Sequence, residues 1–196
     1  MSKAITVHEA LQTFASAVTA KMTQLVAGEP EDQVRGPFEN FMSIVAAALR
    51  CNVVCTGETP LPDRLGRPDY AIHVNKLLAG YVELKAPGVG VTATRFKGHN
   101  RDQFKRFSSL PNILYTDGNE WALYSDGHLV DKVARLSGDI ATDAKKAVAP
   151  QDAPAIENIL RNFLWREPTI SGRPQGQDRP QRLRRDAGPA MPYVAR

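Results

Sequence analysis

The hydrophobic period changes once along this chain, near Asn52, and that change limits the folds available to it. Before Asn52, apolar residues recur at helical spacing over residues 7–25 and again over residues 34–49. After Asn52, apolar residues alternate with polar ones or form short runs, which is typical of strands. Two helices, a central run of strands, another helix and further strands predict a mixed α/β or α+β domain.

Local signals predict where the elements begin and end. Thr6 and Glu9 have the spacing of a capping box, so the first helix should start at Thr6 and end at Gly28-Glu29-Pro30. The predicted strands cover residues 53–56, 68–74, 78–84, 112–116, 120–125 and 128–133. Two later helices are predicted over 101–110, stopped by Pro111, and near 155–165.

The last 30 residues differ in composition from the rest of the chain. They hold six Arg, five Pro and three Gly with few large apolar side chains, so residues 167–196 are predicted to be a disordered tail after a domain at 1–166. Six Arg minus three acidic residues give the tail +3 of the net +4. Basicity of the whole chain is therefore weak evidence for a nucleic-acid partner.

Membrane and secreted classes do not fit the sequence. No stretch approaches the ~20 apolar residues of a membrane span. The N-terminus has no apolar core before His8, so it does not resemble a secretory signal. Cys51 and Cys55 are too few for a disulfide framework and have no nearby His pair for zinc. The expected compartment is a reducing cytoplasm.

Three charged side chains interrupt an otherwise apolar pair of strands. Asp69 begins one strand, while Glu83 and Lys85 lie two apart at the end of the next and so point to one face. Val82 and Leu84 mark this as a buried strand, where unpaired charges are costly. Paired carboxylates offer the hard oxygen ligands that Mg²⁺ prefers, and a lysine can position a water and offset charge on a phosphate. The pattern fits metal-assisted phosphodiester cleavage.

A shared metal imposes a condition on the register of this hairpin. A two-residue turn at Asn75-Lys76 would pair Asp69 with Val82 and leave Glu83 on the opposite face. We therefore predict either a three-residue connection over residues 75–77 or a bulge near Gly80.

These residues resemble the PD-(D/E)xK nuclease superfamily. Pro68-Asp69 matches its PD element, and Glu83-Leu84-Lys85 matches its (D/E)xK element. Glu39 matches the acidic residue of the superfamily's first core helix. Gln103 resembles the first residue of the Q-x-x-x-Y element, in which Phe107 replaces the usual tyrosine and so lacks its hydroxyl.

The resemblance implies a fold and a set of roles. The fold would be a restriction-endonuclease-like α/β core, with a mixed central sheet flanked by helices. Asp69, Glu83 and the Leu84 carbonyl would bind Mg²⁺, with Mn²⁺ as a substitute. The resemblance also implies that Lys85 assists the attacking water, that Gln103 orients this water, and that Glu39 is an auxiliary acid.

The segments 101–107, 110–112 and 116–121 are similar to the N-terminal nuclease module of single-chain type ISP restriction–modification enzymes. The likeness covers roughly residues 6–166 and is closest over 67–125. Those enzymes continue into helicase-like motor and adenine-methyltransferase regions, which 196 residues cannot also contain. The expected function is an endonuclease module for double-stranded DNA from a restriction–modification system, either a fragment or a stand-alone relative, that cuts with little sequence preference.

Positive charge accompanies this pattern. Because phosphate contacts dominate DNA affinity, we expect the basic residues around the predicted third helix to hold the DNA backbone. They are Arg95, Lys97, Arg101, Lys105 and Arg106. An ordinary solvated surface is the alternative.

Other interpretations remain open at this point. Taken singly, Asp69 could simply begin a strand, and Glu83 and Lys85 could form a solvated ion pair. Glu39 fits a pair with Arg35 equally well. The chain could also be a non-catalytic nucleic-acid-binding or assembly module, or a structure-specific nuclease such as a junction resolvase. The segment Gly88–Ala93 matches a relaxed dinucleotide-binding pattern, but it follows a strand that ends in charged residues.

Overall fold

The computed structural model describes residues 5–24 and 27–165. Helix α1 spans Val7–Thr23 and begins at the predicted capping box. The Glu9 N–H donates to the Thr6 hydroxyl at 3.2 Å, and the Thr6 N–H donates to the Glu9 carboxylate at 2.8 Å. Helix α2 spans Pro30–Leu49 and ends at Arg50 in the left-handed conformation. The predicted tail, residues 167–196, lies outside the described residues.

The strands form one sheet in the described part of the chain. They are β1 (Val53–Gly57), β2 (Tyr70–Val74), β3 (Leu77–Leu84), β4 (Ile113–Thr116), β5 (Glu120–Ser125), β6 (His128–Leu129) and β7 (Ala134–Arg135). The spatial order is β1-β2-β3-β4-β5-β6, and β7 pairs with the other end of β5. Only the β3–β4 pair is parallel among these strands, so the sheet is mixed.

Two later helices complete the described elements. Helix α3 (Gly98–Phe107) lies in the connection between the parallel strands β3 and β4, and α4 (Ala153–Trp165) follows the last strand. Among the described residues, no helix combines the length and the hydropathy that crossing a membrane would need.

Three predicted boundaries were wrong. Helix α1 ends at Thr23, capped by Gln24, rather than at Gly28-Glu29-Pro30. Helix α3 begins three residues earlier than expected and ends at Phe107, because a turn from Phe107 to Leu110 buries Leu110 before Pro111. The strand predicted over 128–133 is broken. The chain leaves the edge of β5 after Val130 and returns to its other end at Ala134.

The predicted bulge is present in the β2–β3 hairpin. The turn has two residues, Asn75 and Lys76, both with positive φ as in a type I′ turn. His73 pairs with Leu78, but Ile72 pairs with Gly80, so Ala79 is the extra residue. The bulge adjacent to Gly80 is confirmed, and the three-residue connection is not used.

The bulge changes which residues face each other at the far end of the hairpin. Tyr70 pairs with Val82, so Asp69 lies opposite Glu83 rather than Val82. Gly80 permits this path, because a Cβ there would lie 2.5 Å from the Asn112 carbonyl oxygen. One extra residue in β3 therefore moves the two acids to the same face.

Each face of the sheet carries its own hydrophobic core. The major core lies against α1, α2 and α4, and the minor core lies on the side of α3 and the loop before it. The largest side chains of the major core are Phe14, Phe38, Phe41, Met42, Tyr70, Trp121 and Phe163. The minor core consists of Leu61, Val91, Phe96, Phe107, Leu110, Ile113, Tyr115, Ala122 and Tyr124.

Candidate active site

The predicted acids and lysine meet at the carboxyl end of β3. Asp69, Glu83 and Lys85 are 6%, 2% and 3% exposed. The Lys85 ammonium donates to Glu83 Oε1 at 2.8 Å. Asp69 Oδ2 accepts the Leu84 N–H at 2.7 Å, which ties the residue before β2 to the end of β3. These groups share the face of the sheet that carries the minor core.

Helix α2 contributes two further charged side chains that the sequence analysis did not assign to the site. The Arg35 guanidinium donates to Asp69 Oδ1 and, at 3.2 Å, to Asp32. The Glu31 carboxylate lies 3.8 Å from the Lys85 ammonium. Glu31, Asp69 and Glu83 each place a carboxylate oxygen within 4.8 Å of the other two.

Helix α3 supplies the fourth element of the site. Gln103 Oε1 accepts from the Lys85 ammonium at 3.0 Å. Four residues along the helix, Phe107 packs into the minor core and is 1% exposed. The minor core therefore anchors α3 so that Gln103 faces the end of β3, and the Lys85 ammonium is surrounded by Glu83, Gln103 and Glu31.

Burial shifts the protonation equilibria of the three acids. Burial raises the pKa of Glu83 to about 7, Asp69 adds to the rise, and Lys85 opposes it. Burial also raises the pKa of Asp69, against the opposing effect of the Leu84 N–H. The pKa of Glu31 rises for the same first reason. The protein therefore concentrates carboxylates where each ionises less readily than in water, which is typical of functional sites.

Two buried polar atoms at the site have no hydrogen-bond partner among the described residues: Glu83 Oε2 and the Tyr115 hydroxyl. Tyr115 is paired with Glu83 in the β3–β4 register and is fully buried. Leu84 directs its N–H toward Asp69, and the C=O of a strand residue points to the same side as its N–H. An unpartnered carboxylate oxygen, two neighbouring carboxylates and a carbonyl form an oxygen-rich donor set that fits a hard divalent cation.

Glu39 does not join this group. Its side chain is exposed and accepts from the Tyr70 hydroxyl at 2.8 Å. Glu31, Arg35 and Glu39 follow one another at intervals of four along α2, so they share a helix face. Glu39 was assigned from the resemblance alone, and the structure shows that the N-terminal end of this helix face, at Glu31 and Arg35, reaches the buried acids.

The glycine loop after β3 is held by the protein itself. The N–H groups of Gly88 and Gly90 donate to Asp117 Oδ2 at 3.2 and 2.8 Å, and the Val91 N–H donates to Glu120. A dinucleotide site would need these donors free for a pyrophosphate. The dinucleotide-like pattern at 88–93 is therefore explained by loop anchoring.

The predicted DNA-backbone residues are placed on the surface beside the site. Arg101, Lys105 and Arg106 are exposed on α3, and Arg95 and Lys97 are exposed in the segment before it. Arg101 has a weak contact with Asp102 at 3.5 Å. The structure therefore brings the basic residues to the same side of the sheet as the acids.

No protein-family model and no curated protein matches the chain. One solved structure similar to it is a cryo-EM structure of a DrdV–DNA complex, with a TM-score of 0.54 and 19% sequence identity. The match covers 83% of this chain and 14% of that chain, so this chain corresponds to a small part of that protein. The likeness is one of fold. The predicted fold class, a restriction-endonuclease-like mixed sheet flanked by helices, is confirmed.

Proposed function

We propose that this chain is a Mg²⁺-dependent endonuclease module of the PD-(D/E)xK kind that hydrolyses phosphodiester bonds of double-stranded DNA, with Mn²⁺ as a substitute ion. The observation that carries the proposal is the convergence of Glu31, Asp69 and Glu83 on Lys85 at the end of β3. An origin in a cytoplasmic restriction–modification system is part of the proposal, supported by the resemblance to type ISP nuclease modules.

The residues divide into ion ligands and groups that act on water and phosphate. Asp69, Glu83 and the Leu84 carbonyl would hold the ion, and we assign the auxiliary acid to Glu31 because Glu39 bonds to Tyr70 instead. When bound, the ion supplies Lewis-acid polarisation of the phosphate and a lower pKa for a water.

Lys85 and Gln103 would act on the attacking water. The Lys85 ammonium positions the water and offsets negative charge that develops on the phosphate in the transition state. The 3.0 Å contact from Gln103 fixes the ammonium from the α3 side, so that Glu83 and Gln103 together set its direction. Burial of Lys85 makes each of these interactions stronger than it would be in water.

The basic residues around α3 would hold the DNA backbone. Arg101, Lys105 and Arg106 are exposed beside the site, and Arg95 and Lys97 extend the same surface. None of these positions forms an array that reads base edges, so the module alone should cut with little sequence preference. Motor and methyltransferase regions, in the same chain or in partner subunits, would then determine where cleavage occurs.

A plasmid cleavage assay tests the proposal directly. With Mg²⁺ or Mn²⁺ the protein should nick or linearise supercoiled DNA, and Asp69→Asn and Lys85→Ala should each reduce the rate by at least about 100-fold. Lys132→Ala is the matched control, because Lys132 is an exposed lysine outside the site. Equal cleavage by the wild-type chain and Lys85→Ala would refute the assignment.

A non-catalytic DNA-binding module is the second candidate, and two observations favour it. The available acids are already paired with Arg35 and Lys85, and Phe107 lacks a hydroxyl. Binding of a labelled duplex, measured beside cleavage, separates the two functions. Tight binding without cleavage in either metal would establish the second one.

A further inference from the structure

Arg35 lies where a cation bound to Asp69 would compete with it. Its guanidinium donates to Asp69 Oδ1, while Asp69 Oδ2 is taken by the Leu84 N–H. The Asp69 carboxylate therefore has its two oxygens engaged by protein donors. A divalent cation that binds Asp69 through Oδ1 would approach the same oxygen that accepts from Arg35, so the cation and the guanidinium would repel each other at close range.

The charge balance of the cluster points the same way. With all groups ionised, Glu31, Asp69 and Glu83 face the two cations Arg35 and Lys85, which leaves one net negative charge. A divalent cation would turn this into one net positive charge, so the guanidinium would no longer be needed to neutralise Asp69. Like charges at such short range are unfavourable, most of all in a buried site.

The Arg35 side chain is free to leave Asp69 toward solvent. The Arg35 side chain is 27% exposed, whereas the Asp69 side chain is 8% exposed, so Arg35 reaches solvent from the edge of the site. Its second partner, Asp32, is 61% exposed and holds it only weakly. Arg35 lies one helical turn from Glu31, and a guanidinium binds phosphate through two parallel hydrogen bonds.

We propose that Arg35 is an exchangeable partner of Asp69: it neutralises that carboxylate in the metal-free protein and contacts a DNA phosphate once a divalent cation takes its place. This inference rests on the proposed nuclease function and deepens it. The exchange makes cation binding and DNA binding mutually reinforcing. The cation releases Arg35 for the phosphate, and the phosphate draws Arg35 away from Asp69, which the cation binds.

Titration of the full chain with Mn²⁺ by calorimetry, in the absence of DNA, tests the first half. Arg35→Gln should bind Mn²⁺ about tenfold more tightly than the wild type, because both a competitor and a positive charge are removed. Arg50→Gln is the control: it removes the same charge from the residue that caps the far end of α2, about 22 Å away along the axis, and should leave the affinity unchanged.

Arg35→Lys separates charge from direct competition. A lysine keeps the positive charge but cannot bind Asp32 and Asp69 at the same time through a planar guanidinium. The Mn²⁺ affinity of Arg35→Lys should therefore lie between those of the wild type and Arg35→Gln. Unchanged or weaker Mn²⁺ binding by Arg35→Gln, in protein whose circular dichroism matches the wild type, would overturn the inference. If Arg35→Gln does not fold, the Arg35→Lys result decides on the same criterion.

Binding of a labelled duplex with and without Ca²⁺ tests the second half. Ca²⁺ should strengthen DNA binding by the wild type about tenfold, and this gain should be clearly smaller in Arg35→Gln, which retains only the contact between the ion and the phosphate. An equal gain in both proteins would contradict transfer of Arg35 to phosphate. A wild-type chain that cleaves DNA but fails these tests retains its proposed function without the exchange, whereas a wild-type chain that binds no Mn²⁺ loses both.

Discussion

The major and minor cores lie on opposite faces of one sheet, and the buried acids and lysine of the site lie on the face of the minor core. Along β3, Val82 and Leu84 enter the major core, while Glu83 and Lys85 point to the other face. The major core is continuous from α1 to α4 and is built from regular helices. The minor core is small and depends on one ten-residue helix and a glycine loop.

This difference shows how the chain supports buried charge. The major core supplies most of the apolar contact, so the opposite face can hold three carboxylates and a lysine, whose charged forms cost stability when they are buried. Activity and stability should therefore respond to different substitutions.

Truncation in each core should give the largest contrast. Trp121 is fully buried, with ring centroids 5.4 Å from Phe41 and 6.1 Å from Phe14. Trp121→Ala should lower the free energy of unfolding by about 3–5 kcal/mol. Phe104 is half-buried in the minor core, so Phe104→Ala should cost about 1–2 kcal/mol but reduce cleavage by moving α3 and Gln103.

Urea denaturation and cleavage assays, at a temperature where both variants are folded, measure this contrast. The division between the cores would be wrong if both variants lost equal stability, or if Phe104→Ala cleaved DNA at the wild-type rate.

The dependence of stability on pH should come from the charged face. The folded pKa of Glu83 is about 7 against an ordinary value of 4.5, so the folded state binds its proton more tightly than the unfolded state. Its contribution to stability is fully present below pH 4.5 and is lost as pH rises through about 7. The loss should be on the order of 2–3 kcal/mol.

Thermal unfolding in EDTA from pH 5 to 8 measures this effect. Glu83→Gln should flatten the curve in that window, and Trp121→Ala should shift the curve without changing its slope. Parallel curves for the wild type and Glu83→Gln would contradict a raised pKa of Glu83 in the folded state. Mg²⁺ should raise the melting temperature more at pH 8 than at pH 5, because the ion requires the ionised carboxylate.

A substitution at the bulge should lower both stability and metal affinity, and its cost in stability should be smaller than that of Trp121→Ala. A Cβ on Gly80 would meet Asn112 at 2.5 Å and Phe163 at 2.9 Å, so Gly80→Ala should cost about 1–3 kcal/mol. Any shift of register would also separate Asp69 from Glu83 and weaken Mn²⁺ binding. Gly36→Ala, in an open position of α2, should be neutral or stabilising.

Calorimetric Mn²⁺ titration beside urea denaturation detects both effects of Gly80→Ala. Unchanged stability and metal affinity would show that the register tolerates a side chain at the bulge.

Much of the fold follows from the sequence, because local chemistry determines it. Thr6 and Glu9 define the start of α1, and the alternation after Asn52 predicts the strands that form the sheet. The bulge was predictable because a two-residue turn alone would put Asp69 and Glu83 on opposite faces, and one extra residue in β3 brings them to the same face. The interruption between β6 and β7 was not predictable, because it depends on which parts of the β5 edge each segment pairs with in the folded sheet.

The convergence of the candidate residues was predictable where they share a hairpin and not where they come from a docked helix. Asp69, Glu83 and Lys85 are related by strand register, which the sequence encodes. Glu31 and Arg35 reach the site only through the position of α2 on the sheet, which no local pattern determines. The helical spacing identified the apolar face of α2 but gave no information on which turn contacts β3.

The hairpin and α2 also differ in the order in which folding can bring their groups together. The Leu84–Asp69 contact spans 15 residues, whereas the Arg35–Asp69 contact spans 34. Hairpins close within microseconds, so we expect Asp69, Glu83 and Lys85 to meet before Arg35 and Glu31 arrive. Docking of α2 then covers the apolar interior and, in the same step, brings Arg35 to Asp69 and Glu31 to Lys85, which couples completion of the charged cluster to completion of the folded state.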